Sequence, residues 1–220
     1  MGVSTLIWVC VYGIALKRVD SRQPIADALP PIVDSPDVRS TLRRIYTAEI
    51  GVREQTGRND GPRIGEYLRY VGLDEGYAYC AAFTCWALGE AGAENPKNGW
   101  SPALFPAKRI VWSPKLIVNS RQPGAGNPGP SSSSGPQPGD VFGIYYSNLK
   151  RIAHCGFVDS WDGTWCITVE ANTGSDNAVT TRGDPANPTR AGPAEGVYRK
   201  KRLVKTIYRV ADWVDRNDEL

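Results

Sequence analysis

Gly76-Tyr77-Ala78-Tyr79-Cys80-Ala81-Ala82-Phe83-Thr84-Cys85-Trp86 is the stretch on which the fold turns. From Cys80 onward it is apolar on almost every side, so a helix built on it belongs in the interior. Gly89 and Gly92 mark its end, and the pattern predicts a central buried helix starting at Tyr79 or Cys80. A cysteine at a helix start meets unpaired N–H groups and the positive end of the helix dipole, and both favour the thiolate. Cys85 falls inside the same helix and reads as a small buried hydrophobe.

Two amphipathic helices are expected before it. Val38, Leu42, Ile45, Tyr46 and Ile50 recur near helical spacing between Asp37, a candidate N-cap, and Gly51, a stop. Ile64, Tyr67, Leu68 and Val71 form a second face over 62–71, with Asp60 as its candidate cap and Gly72 as its end. After residue 138 the period changes. Residues 140–146, 152–160, 164–171, 196–201 and 203–208 are short β-branched and aromatic segments between turn residues, which predicts antiparallel strands. Helices first and strands afterward define an α+β domain over 38–215.

Other segments stand apart from that domain. Residues 1–37 pair an apolar run, Thr5–Leu16, with a proline-rich linker holding Pro24, Pro30, Pro31 and Pro36. The run has the length of a signal-peptide core and is short for a bilayer span. Lys17 and Arg18 follow it and no basic residue precedes it, so a secretion signal, a membrane-proximal anchor and a buried segment all stay open. The expected location is secreted or cell-envelope, with any membrane contact confined to this segment. Residues 122–138 are almost entirely Pro, Gly and Ser and read as a flexible surface insert.

The 220 residues contain one histidine, His154, so any imidazole chemistry belongs to it. Five cysteines without CxxC spacing, beside a single histidine, give no metal-ligand pattern, and neither a metal nor a cofactor is expected. A net charge of +3 does not call for nucleic acid. The basic residues Arg199, Lys200, Lys201, Arg202, Lys205 and Arg209 read as a solvated strand face or as a footprint for an anionic polymer. The chain is expected to be a monomer.

Cysteine, histidine and then a carboxylate or amide, in that chain order, is what a thiol hydrolase needs. Cys80 is the candidate nucleophile, His154 the base, and Glu170 the residue that orients the imidazole; Asn172 could share that task or help hold an oxyanion. The pairing depends on register. A two-residue loop at Asp162-Gly163 would pair 161 with 164 and send Glu170 to the opposite face from His154. A three-residue loop over Trp161, Asp162 and Gly163 pairs 160 with 164, hence 154 with 170, and is the expectation. Cys155 should then project away from the site. Tyr77, Tyr79 and Trp86 are candidates to line the cleft, with core packing as their alternative.

Four blocks in order resemble the CHAP family of cell-wall amidohydrolases, a branch of the papain-like NlpC/P60 superfamily. They are Tyr77-Ala78-Tyr79-Cys80-Ala81-Ala82-Phe83, Pro138-Gly139-Asp140-Val141-Phe142, His154-Cys155-Gly156-Phe157-Val158 and Glu170-Ala171-Asn172. The resemblance covers about residues 45–210. It implies a papain-like fold and hydrolysis of an amide in peptidoglycan, with Cys80 as nucleophile, His154 as base and Glu170 as orienting residue. The muramoyl–L-alanine amide and bonds of the stem peptide or crossbridge remain open as targets. The chain departs from the family in Cys155, where Val or Thr is frequent, in its long insert, and in lacking an acidic cluster before the nucleophile. A non-catalytic wall-binding protein and a papain-like enzyme for another amide are the rival readings.

Overall fold

The computed structural model describes residues 37–114, 135–179 and 195–215. The chain divides into two units, Met1–Asp34 and Ser35–Leu220, and all described residues belong to the second. The apolar N-terminal run, the proline-rich linker and residues 122–134 of the insert lie outside the described residues.

Three helices come first: α1 (Val38–Ala48), α2 (Pro62–Tyr70) and α3 (Cys80–Glu90). Asp37 caps α1 as expected, its carboxylate accepting from the Arg39 N–H at 3.3 Å. Asp60 does not cap α2. Gly61 holds that position at φ 121°, a conformation that favours glycine, while Asp60 accepts from Thr56 N at 2.9 Å and Thr56 Oγ1 at 2.7 Å in the preceding loop. Every residue of α3 from Cys80 to Leu88 is buried, as a helix without a polar face requires. Gly89 lets α2 approach α3, because a Cβ there would stand 2.0 Å from Tyr70 Oη.

The strands are β1 (Ile110–Trp112), β2 (Val141–Tyr146), β3 (Arg151–Trp161), β4 (Trp165–Thr173), β5 (Gly196–Leu203) and β6 (Arg209–Ala211). They form one antiparallel sheet in the order β1-β6-β2-β3-β4-β5. The domain is therefore α+β. The helices and the sheet enclose the main core, in which Phe157 stacks on Tyr46 at 4.7 Å and meets the edge of Phe83 at 5.9 Å. A smaller cluster gathers Phe142, Val158, Cys166, Ile207 and Val210. The strand expected over 203–208 does not form: Leu203 ends β5, Val204–Thr206 is a 3₁₀ turn, and the chain rejoins the sheet only at 209, as β6 between β1 and β2. The short β1 carries no period of its own and is visible only in the sheet.

The β3–β4 hairpin corrects the expected register. Its turn pairs Trp161 with Cys166, not 160 with 164, and Asp162 N–H bonds Trp165 O at 3.1 Å. Continued unbroken, that pairing would place Glu170 and His154 on opposite faces. An irregularity between Val158 and Ser160 shifts the register by one residue, so that Val158 opposes Thr168 and Phe157 opposes Val169. The same-face relation survives by this bulge at Asp159, and Glu170 lies diagonal to His154 instead of directly opposite. Gly156 permits the close approach beside the site, since a Cβ there would meet Val169 O at 2.6 Å.

Candidate active site

Cys80 opens α3. The preceding Tyr79 supplies no side-chain cap, and the first helical bond to Tyr79 O comes from Phe83 N–H. The N–H groups of the first turn thus face the thiol's end of the helix without a capping side chain. The thiol is 4% exposed and lies 3.5 Å from the Ser101 hydroxyl. Hydrogen bonding with Cys155, then with His154 and Ser101, outweighs burial and holds the Cys80 thiol well below its usual range.

His154 sits on β3 directly after a second bulge. Ile144 pairs with His154 and Tyr145 with Ile152, which leaves Ala153 as the extra residue. One imidazole nitrogen, Nε2, meets Glu170 Oε2 at 2.7 Å, and the ring also interacts with Cys80. Burial pulls the imidazolium down, but the Cys80 and Glu170 hydrogen bonds and charges prevail and raise it to about 9.

Glu170 is fully buried and accepts from four groups. Arg202 clamps it with two bonds, Nε to Oε1 at 2.5 Å and Nη2 to Oε2 at 2.6 Å. Thr168 Oγ1 donates to Oε1 at 2.5 Å, and His154 completes the set. Burial opposes the charged form, yet Arg202 and His154 keep the carboxyl far below its ordinary range. The result is a row of thiol, imidazole, carboxylate and guanidinium, one from each of α3, β3, β4 and β5, whose charged forms alternate in sign. Charges alternating in sign along such a row stabilise one another in a weakly polar interior.

The structure brings Cys80, His154 and Glu170 together and separates the remaining candidates. Asn172 adopts a left-handed φ of 56°, which takes it out of the strand alternation. Its Oδ1 accepts from Tyr79 N–H at 3.0 Å, and its amide donates to Asn59 Oδ1 at 3.0 Å and Glu195 Oε2 at 2.6 Å. It ties β4 to the residue before the thiol and makes no bond to the imidazole. Tyr79 is buried, and Trp86 packs in the core against Tyr67 at 5.0 Å beneath the Arg63 guanidinium at 4.4 Å, so neither lines a cleft. Tyr77 is 58% exposed, three positions before the thiol.

Cys155 does not project away. It belongs to the same core as Cys80, its sulfur lies 3.9 Å from Thr84 Oγ1, and it interacts electrostatically with the Cys80 thiol. β3 pairs regularly with β2 from His154 to Phe157, so Cys155 shares the core-facing side of the strand with Phe157. Burial and the neighbouring Cys80 push the Cys155 thiol far up, so it stays a neutral donor. Among the described residues Cys80, Cys85, Cys155 and Cys166 are free. Groups of three His, Cys, Asp or Glu that could hold a metal ion do not occur among the described residues.

The basic run near the C-terminus is no continuous polymer footprint. Arg199 and Lys200 are buried, Arg199 bonding Asp159 and Lys200 Nζ bonding Thr173 Oγ1 at 2.9 Å, while Arg202 holds Glu170. Sequence reasoning missed Arg202 and Ser101. Alternation along β5 puts Arg202 on one face with Lys200, but its pairing with Glu170 needs the β4–β5 register. No residue pattern marks Ser101.

Comparison with known proteins adds no assignment: the chain matches no family model, no curated protein and no solved structure.

Proposed function

We propose that this chain is a papain-like cysteine amidohydrolase of the CHAP type that cleaves an amide bond of bacterial peptidoglycan. One observation carries the chemistry: a thiol at the head of a buried helix interacts with the sole imidazole, whose Nε2 lies 2.7 Å from a buried carboxylate. The choice of peptidoglycan rests on the four sequence blocks, and a secreted or cell-envelope location follows from that substrate.

In the proposed cycle the Cys80 thiolate attacks the amide carbon, forming a C–S bond and a tetrahedral oxyanion. The backbone N–H of Cys80 faces that oxygen at the positive end of α3. The C–N bond then breaks, and the amine departs with the proton of the His154 imidazolium. Water attacks the remaining thioester as neutral His154 takes its proton. Breaking the C–S bond releases the carboxylic acid and restores the thiolate. Glu170 fixes the imidazole and stabilises its cationic form.

The decisive experiment incubates purified sacculi with the protein and with Cys80→Ala, then identifies the new amino termini. A muramoyl–L-alanine amidase releases alanine amino termini, and an endopeptidase releases those of later stem or crossbridge residues. Folded wild-type protein that generates no new amino terminus overturns the reading.

A further inference from the structure

We propose that Arg202 is a positioning residue for this site: it fixes the ionised Glu170 carboxylate against His154 and thereby keeps Cys80 a thiolate near neutral pH. The inference rests on the thiol-hydrolase reading and extends it to a residue that touches neither the thiol nor the imidazole.

The geometry leaves little freedom to Glu170. A fully buried carboxylate without a counter-charge takes up a proton instead of remaining ionised. Arg202 meets both of its oxygens in a planar fork, at 2.5 and 2.6 Å, and such a fork sets orientation as well as charge. With Oε1 shared between Arg202 and Thr168, Oε2 is the oxygen aimed at His154 Nε2, 2.7 Å away.

Other ionisable groups around the pair do not replace this clamp. Lys200 of β5 directs its ammonium to Thr173 Oγ1 at 2.9 Å and to Gly174 O at 3.0 Å. Cys166 of β4 is neutral, its thiol pushed up to about 12 first by burial and then by the Glu170 charge. Tyr146 of β2 faces Arg202, and His154 of β3 is the group under control, with Cys80 of α3 behind it. Loss of Arg202 therefore leaves Glu170 to share a proton with His154. The imidazolium is lost, and with it the cation that helps hold Cys80 ionised.

The test is alkylation of Cys80 by iodoacetamide as a function of pH in the full chain, read site by site by peptide mass spectrometry. Wild-type Cys80 should label rapidly already at about pH 6, well below an ordinary thiol near 8.5. Arg202→Gln should slow labelling there about tenfold or more and move the profile toward that ordinary value. Arg202→Lys, which keeps the charge and loses the fork, should fall between. Glu170→Gln should match Arg202→Gln, and combining the two should add little, as expected for groups acting in series. A folded Arg202→Gln protein with the wild-type profile overturns the proposal. Should that variant not fold, Arg202→Lys decides, and a wild-type profile for it is equally fatal. No hydrolysis is measured, so rapid Cys80 labelling without sacculus cleavage would remove the substrate while leaving the role of Arg202 standing.

Discussion

The β3–β5 sheet segment buries two carboxylates, each clamped by an arginine of β5, and only one is wired for chemistry. Asp159 is held by Arg199, by Arg43 Nε at 2.9 Å and by Tyr46 Oη at 3.0 Å. Glu170 is held by Arg202, Thr168 and His154. The partners of Asp159 keep one protonation state over the whole physiological range: two guanidiniums, and a phenol pushed further up by burial and the Asp159 charge. Glu170 has one partner that can give up a proton, and that partner touches a thiol. A buried ion pair becomes a reactive site when one member titrates near the working pH and adjoins a nucleophile.

The largest expected effects fall on the reactive pair. Cys80→Ala and His154→Ala should each reduce sacculus hydrolysis by roughly a thousandfold or more, since members of such a unit fail together. Circular dichroism should show both folded, because Cys80 is small and the Glu170 carboxylate keeps its Arg202 counter-charge when His154 is removed. Near-wild-type turnover by His154→Ala would end the mechanism, as the chain holds no second histidine.

The two carboxylates can be set against each other directly. Asp159→Asn leaves the buried Arg199 guanidinium without its counter-charge, a change that costs about 3–5 kcal/mol, and Glu170→Gln leaves the part-buried Arg202, which costs less. Both should melt several degrees lower. Their pH–rate profiles should part. The wild-type alkaline limb should lie near pH 9, because as pH rises through that value His154 loses the proton the leaving amine requires. Asp159→Asn should keep that limb and most of its turnover. Glu170→Gln should move it down toward an ordinary imidazole, about 6.5, with turnover lower by about tenfold to a hundredfold. Equal profiles for the two variants would erase the distinction drawn between them.

The same contrast explains what was legible in the sequence. α1, α2 and α3 follow from apolar spacing and stop signals within single segments, and Cys80, His154 and Glu170 from residue types in chain order. Register was not legible. The turn spans 162–165 instead of 161–163, and the bulge at Asp159 that restores the pairing is fastened by Arg43 and Tyr46 of α1 and by Arg199 of β5. No local pattern announces an extra residue whose anchors are that distant. For the same reason Arg199 and Arg202 look like surface charge in the sequence and turn out to be partners of buried carboxylates on β3 and β4, Arg199 itself buried and Arg202 part-buried. Asn172 does not serve the imidazole because its left-handed backbone, which no residue pattern announces, directs the side chain to Tyr79 N–H.

The smallest expected effect concerns Cys155, whose sulfur the structure places at the thiol and not behind the strand. Its neutral thiol beside Cys80 helps, with His154 and Ser101, to hold the Cys80 thiol down. Removing the donor raises the Cys80 thiol, so thiolate is lost at a higher pH and the acid limb of the rate profile moves up. The alkaline limb belongs to His154 and should stay near pH 9. Cys155→Ser retains a hydroxyl donor and should shift the acid limb less than Cys155→Val, with turnover at neutral pH within about tenfold of wild type for both. Cys85→Ser, inside α3 with its sulfur 3.6 Å from Asn98 O, should move neither limb. Parallel pH–rate curves for the three variants measure the ordering. An acid limb unmoved in Cys155→Val would mean that Ser101 and the helix terminus hold the thiolate without help from the second sulfur.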